Sequence, residues 1–434
     1  MEPKKLHIGL ALAMGWLSGK GWQKTNSGVE KAFSAEPYIE MAKLAEQHKL
    51  DFIFRPDTQF LNEELFDKEP GFCNLDPMLL LAAIAEKTNF IGLISTASTT
   101  LLPPYYVAKQ LQTLHWLSQG RAGWNIVTAI DGHQNYGEKK RLSSAERYEK
   151  STEFLEVVKG LWGSFPNKAL TLERTTEIFA DKALVQPIHH EGKYFSVKGP
   201  LNLPASPFGE IPLFQAGASE AGRGFAASVA DAVFSAAPDI ESALELRDDI
   251  RARAKAKNRN ENSVKLFPGL SLFLADTKEQ AIQLYKDTHR QPSEEKRIQY
   301  IKDTIGIDFS NYSLDQPIDI TDINLSGLTI RSQTHSQLLA TYITREKPTL
   351  AELLERPEVI GSSHWLVIGT PEDAYKAIVE RASAKSLDGF IAIPGGNEES
   401  MMLFFNEVIP LLVKNDWFRK EYKGKTLKQH LAND

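Results

Sequence analysis

Three observations predict an α/β fold, specifically a (β/α)8 TIM barrel with long insertions. Short apolar, β-rich runs alternate with longer amphipathic stretches along the whole chain. The chain offers eight such runs, as many as a closed barrel needs. Polar residues gather where the runs end, which is where barrels build their active sites. An open doubly wound sheet shares the alternation, and the number of repeats favours closure. At 434 residues, 42% hydrophobic and 24% charged, the chain can fill one elaborated barrel. Residues 1–434 therefore read as a single domain with insertions at about 163–212 and 292–362.

Leu6–Ala13 reads as a buried strand, and Pro37–His48 as a helix burying Ile39, Ala42, Leu44 and Ala45. The second strand, Leu50–Arg55, ends in a turn at Pro56-Asp57. A helix over Pro77–Glu86 leads to the strand Phe90–Ser95, and a helix over Tyr105–Leu117 leads to Ala122–Val127. Ser143 with Glu146 three residues on forms a capping box, opening a helix that runs to about Leu161. Leu213–Ala216 runs into Gly217-Ala218-Ser219 and the helix Glu220–Val229. Ala232–Ala236, Val264–Leu274 and Gly389–Ile393 complete the strands. Their helices lie near Ile240–Lys257, Thr277–Thr288, Pro371–Lys385 and Ser400–Leu412. The first insertion carries prolines and a hairpin around Tyr194–Val197; the second has helical pieces at Gln333–Thr344 and Leu350–Leu354. Insertions of this length read as lids or oligomer contacts.

Several function classes are disfavoured. The net charge of -6 is spread along the chain without a basic block, which argues against nucleic acid. Cys73 is the only cysteine, so no intrachain disulfide can form, as expected of a cytoplasmic protein. The start lacks a signal-peptide core, and its apolar segment is too short for a membrane span. Gly15-Trp-Leu-Ser-Gly19-Lys20-Gly21 fails phosphate-loop spacing, and no G-x-G-x-x-G follows the first strand. His189-His190-Glu191 has the wrong spacing for ligands on one helical face, so no metal is expected. No G-x-S-x-G elbow and no acid–base pair stands out, leaving the catalytic residues unassigned.

The strand ends present Asp57, the run Thr96 to Thr99, Asn125 with Thr128, and Gly217-Ala218-Ser219. Each has an ordinary reading: Asp57 as a turn former, Ser143 and Ser144 as helix caps, Ser219 as an N-cap. Gly217-Ala218-Ser219 is the strongest candidate. Small residues at a helix start leave N–H groups and the positive dipole end open to an anion. Arg223, one turn in, would add charge, and the pattern suits a flavin or sugar phosphate. His7 reads as structural, whereas His133 could lie near a ligand.

Some longer motifs are distinctive. Phe54-Arg-Pro-Asp57, Ser95-Thr-Ala-Ser-Thr-Thr100, Gly120-Arg-Ala-Gly-Trp-Asn-Ile-Val-Thr128 and Asn135-Tyr-Gly137 resemble the nitrilotriacetate monooxygenase component A family, a branch of the bacterial-luciferase-like flavin enzymes. Gln215-Ala-Gly-Ala-Ser219, Gly369-Thr-Pro-Glu372, Asp388-Gly-Phe390 and Phe418-Arg-Lys-Glu-Tyr422 extend the resemblance along nearly the whole chain. It implies an FMN-dependent monooxygenase whose reduced cofactor comes from a separate NAD(P)H-dependent flavin reductase. With O2 it would oxygenate a small organic substrate, or cleave its C–S or C–N bond. Cofactor contacts would be Asp57, Thr96, Thr99, Asn125, Ser144, Tyr148, Ala218 and Ser219. One departure stands out: Ser144-Ala-Glu-Arg-Tyr148 replaces the usual His-Asp-Glu-Arg-Tyr. Relatives suggest a homodimer or homotetramer. The Gly15–Val29 loop, with Trp16 and Trp22, and the second insertion are lid candidates. Competing readings are a barrel hydrolase or lyase acting on a phosphorylated small molecule, a non-catalytic flavin-binding homologue, and a deazaflavin user.

Overall fold

Apolar runs too short for helices and buried on both faces are what parallel strands beneath a helical coat require. The computed structural model describes residues 5–432 apart from 62, 64–69, 72, 218, 290–292, 321–332 and 361–362. Its main sheet consists of β1 (His7–Ala11), β2 (Phe52–Arg55), β3 (Gly92–Ser98), β4 (Ala122–Val127), β5 (Leu213–Ala216), β6 (Ala232–Ser235), β7 (Lys265–Leu274), β8 (Trp365–Gly369) and β9 (Gly389–Pro394). All pairings within it are parallel, and eight of the strands close into a barrel as β9 pairs with β1, from His7↔Gly389 to Leu10↔Ala392. All eight strands expected from the sequence belong to this barrel.

The ninth strand, β8, was not expected. β7 is ten residues long, and its lower part, Lys265–Pro268, pairs with β6. Above that point β6 has ended, and Leu270–Leu274 pairs instead with β8. The barrel therefore has a seam where one edge of β7 changes partner.

The inward side chains form a phenylalanine core. Phe52 lies 5.3 Å from Phe214 and 5.7 Å from Phe267, ring centre to ring centre. Glycine leaves room for them: a Cβ on Gly9 would stand 2.1 Å from the Phe52 ring. Leu427 and Leu431, on a short helix near the C-terminus, join this core and close the N-terminal end of the barrel. His7 also sits at that end, its Nδ1 3.0 Å from the buried Asp51 carboxylate, far from the strand ends that matter for function. The outward strand faces pack against α1 (Glu36–Gln47), α2 (Pro77–Ala85), α3 (Pro104–Leu117) and α4 (Ser144–Gly163) in a second, larger core.

Arg121 shows why its motif is so distinctive. It is 3% exposed and donates to the carbonyls of Ala85, Thr88, Ile91 and Ser118 and to Thr88 Oγ1. It ties the end of α2 to β3 and β4, a structural task at the base of the barrel.

The first insertion carries two hairpins, Leu170–Glu173 with Ile178–Ala180 and His190–Glu191 with Ser196–Val197. His190 meets Glu153 at 3.2 Å, and no group among the described residues could hold a metal ion. The described part of the second insertion has its own apolar cluster, including Ile301, Phe309, Leu339 and Leu353. Among the described residues, no helix is long and apolar enough to cross a membrane.

Candidate active site

The barrel mouth at the C-terminal strand ends holds two polar groupings. The first spans β2 to β4. Thr96 Oγ1 donates to the Arg55 carbonyl at 2.7 Å and accepts from Asn125 Nδ2 at 3.0 Å. This fixes the amide of Asn125, which is 3% exposed, and leaves its Oδ1 without a hydrogen-bond partner among the described residues. A buried acceptor in that state costs roughly 1–3 kcal/mol, which a bound ligand carrying a donor would recover. Thr99 faces elsewhere: its hydroxyl meets Ser151 Oγ at 3.1 Å and Val127 O at 3.3 Å, joining β3 to α4.

Asp57, just beyond β2, accepts from the Gln59 amide, and Gln59 Oε1 accepts from Tyr136 Oη. Asn135 Nδ2 donates to the Gln59 carbonyl at 2.8 Å. The loop after β4 is thereby latched onto the loop after β2. Gly132 permits this with a φ of +94°, and a Cβ there would stand 2.7 Å from Gln59 O. Burial pushes the Asp57 carboxyl up to about 6, opposed by its hydrogen bond from Gln59. His133 opens the short turn in the same loop.

The second grouping lies where β5 meets α5 (Glu220–Val229). Ser219 is the N-cap of α5, its Oγ accepting from Gly222 N at 3.3 Å. Tyr148, one turn into α4, leans over the same helix start. A Cβ on Gly222 would stand 2.7 Å from Tyr148 Oη and 3.1 Å from Ser219 Oγ, so two hydroxyls converge on one bare backbone position. Gly217 has φ +154°, and a Cβ there would meet Gln215 Nε2 at 2.8 Å and Tyr148 Oη at 3.2 Å. Gln215 Nε2 donates to Ala216 O at 2.7 Å, leaving the buried Oε1 without a partner among the described residues. Ser143, not Ser144, caps α4, and its capping box with Glu146 is present. Ser144 is the first helical residue, four positions before Tyr148. Ala218 lies outside the described residues.

Arg223 departs from expectation. Its guanidinium meets Asp249 at 3.1 Å and Glu245 at 2.9 Å, both on α6 (Ile240–Ala256). That pairing draws the charge down the flank of the helix. Glu245 and Asp249 lie 22 and 26 positions away, beyond the reach of a local sequence pattern. Gln215 and Gly222, which shape this corner, stand inside or beside a recognisable motif, but only folding brings them under Tyr148.

The Gly15–Val29 loop is a series of short turns. Trp16 Nε1 donates to Ser27 O at 2.9 Å and anchors it.

The chain resembles known proteins over nearly its whole length. The sequence profile described as luciferase-like monooxygenase matches residues 15–386. N-acetyl-S-(2-succino)cysteine monooxygenase of Bacillus subtilis (strain 168) is 34% identical over 99% of this chain and 97% of its own length. Nitrilotriacetate monooxygenase component A of Aminobacter aminovorans is 30% identical, covering 99% and 96%. Among solved structures, a long-chain alkane monooxygenase superposes with a TM-score of 0.81 at 28% identity, covering 99% of this chain and 95% of its own. A riboflavin lyase with modified FMN and riboflavin gives 0.82 at 28% identity, covering 99% and 96%. These matches disfavour a hydrolase or lyase acting on a phosphorylated small molecule, and a non-catalytic flavin-binding homologue. By profile, chain-long identity and fold together, the chain belongs to the luciferase-like monooxygenase family and is a flavin-dependent monooxygenase.

Proposed function

We propose that the chain is the oxygenase component of a two-component system that takes reduced FMN from a separate NAD(P)H-dependent flavin reductase. The observation that carries the reading is the mouth itself. One buried acceptor, Asn125 Oδ1, has no partner among the described residues, and two hydroxyls converge on a helix start. That donor and acceptor set suits a flavin monophosphate, with N–H groups on its ring and an anion at its tail.

In this reading Tyr148 Oη, Ser219 Oγ and the N–H groups opening α5 hold the phosphate. The helix dipole supplies the favourable field, because Arg223 is already paired. Asn125 Oδ1, held by Thr96, accepts from the ring, and Asp57 approaches it from β2. Of the two threonines, Thr96 is the better supported contact, because Thr99 turns to α4. Ser144 borders the phosphate corner. The bound reduced flavin supplies two electrons to O2, so that one oxygen atom enters the substrate and the other leaves as water. The protein's own part is orientation, and exclusion of water by the phenylalanine floor and the two insertions.

The substrate is a small organic sulfur or nitrogen compound open to C–S or C–N cleavage or sulfone-type oxygenation. The barrel and its insertions act as one catalytic unit, cytoplasmic and assembled as a homodimer or homotetramer. A turnover screen tests the proposal: thioethers, sulfones and N-substituted amino acids are supplied with FMN, NADH, a flavin reductase and 18O2. One labelled oxygen atom should enter product from at least one class. Product formed without flavin, or without label when no C–S or C–N bond breaks, would refute it.

A further inference from the structure

The flavin contacts proposed above occupy the β2–β5 arc of the mouth, which leaves the opposite arc, β6–β9, for substrate. One side chain in that arc comes from no barrel strand. His364 immediately precedes β8, at the seam where the edge of β7 passes from β6 to β8. Its imidazole stacks on Phe234, ring centres 5.1 Å apart and planes at 30°. The ring also hydrogen-bonds to the Ser235 carbonyl.

Gly269 admits it. A Cβ at that position would stand 2.6 Å from His364 Nδ1 and 2.9 Å from both Phe234 and Ile393. Phe234 in turn meets Phe54 at 5.1 Å across the barrel interior. Phe54, Phe234, His364 and Ile393 thus form one continuous wall. Burial lowers the imidazole to about 4, so this wall carries no charge at neutral pH. An apolar group fits such a surface, and a carboxylate would pay a desolvation penalty there.

His364 also stands at the far end of the second insertion. That insertion is moored to the barrel by Arg345 of the helix Gln333–Glu346, which meets Asp239, the N-cap of α6, at 2.8 Å. The wall is therefore built jointly by the barrel and by a segment that differs in kind from it.

We infer that His364 is a specificity-determining residue: its ring closes the inner end of the substrate cavity and sets the length of the apolar group that fits, an assignment that rests on the flavin placement proposed above. The probes are alkyl phenyl sulfides from methyl to octyl, titrated into enzyme holding oxidised FMN and followed by perturbation of the flavin absorbance. Affinity for the wild type should rise about fourfold per buried methylene and then fall beyond a cut-off length. His364→Ala should move that cut-off outward by two or more carbons and bind the first excluded sulfide about tenfold more tightly. Its FMN affinity should stay within twofold of wild type. His364→Phe, which keeps a ring in the seam, should restore the original cut-off. Should His364→Ala unfold, His364→Val gives the same readout. An unmoved cut-off in the small variant, a lost cut-off in His364→Phe, or a wild type that binds FMN but no sulfide overturns the assignment. A wild type that binds no FMN instead overturns the cofactor placement beneath it.

Discussion

Replacing Gly222 by alanine separates phosphate binding from folding. The new Cβ would stand 2.7 Å from Tyr148 Oη and 3.1 Å from Ser219 Oγ. Contacts under about 3 Å force movement, and the Tyr148 hydroxyl is the freer of the two because Ser219 caps α5. Its ring, packed 5.8 Å from Phe225, can give only by swinging the hydroxyl off the helix start. For folding the change is mild, since alanine is favoured over glycine in helices by up to about 1 kcal/mol. For an anion held there, losing one charge-assisted hydrogen bond costs about 1.5–3 kcal/mol. That corresponds to roughly a 10- to 150-fold loss of affinity. The assay is a fluorescence titration of wild type and Gly222→Ala with FMN and with riboflavin, which shares the ring but lacks the phosphate. FMN should weaken by that factor, riboflavin should be unchanged, and the melting temperature should hold or rise. Equal weakening of both ligands, or of neither, would refute the phosphate corner.

Three other outcomes are expected. Ser219→Asp keeps a good N-cap but sets a negative charge against the phosphate, so FMN affinity should fall about 100-fold or more with riboflavin unaffected; equal FMN binding in an equilibrium titration would put the phosphate elsewhere. Arg121→Met strands the carbonyls of Ala85, Thr88 and Ile91 and should destabilise the fold by about 3 kcal/mol. A urea midpoint equal to wild type would contradict that structural role. Asp57, raised by burial to about 6 from a free value near 4, binds its proton more tightly when folded, so its contribution to stability is lost as pH rises from about 4 to 6. Asp57→Asn should therefore match wild type below pH 4 and exceed it by about 1 kcal/mol at pH 7–8, after allowance for solvent screening. A variant less stable than wild type at pH 8, by thermal denaturation, would count against it.

How far the sequence could be read follows from the range of the interactions involved. Strands such as Leu213–Ala216 and Ala232–Ser235 announce themselves because both faces are buried and the runs are continuous. Trp365–Gly369 does not: its burial alternates, it flanks rather than closes the barrel, and its partner is the upper half of a strand that begins 100 positions earlier. The helix start at Ser219 was legible from local capping chemistry. The convergence of Tyr148 on it, and the diversion of Arg223 to α6, depend on how α4, α5 and α6 pack. His364 carries no motif at all. Its significance comes from the empty position at Gly269 and the stacked ring of Phe234, two features of other strands. The Arg121 motif is distinctive for a structural reason, since its arginine holds up the base of the barrel rather than the site.

The proposed activity depends on a flavin monophosphate bound at the strand ends and used in its reduced form. The most direct measurement is an anaerobic equilibrium titration of the purified protein with oxidised and with dithionite-reduced FMN. Binding should be saturable and 1:1 per chain, tighter for the reduced form, and weakened for both forms by Ser219→Asp. Failure to bind either form would contradict the proposed activity.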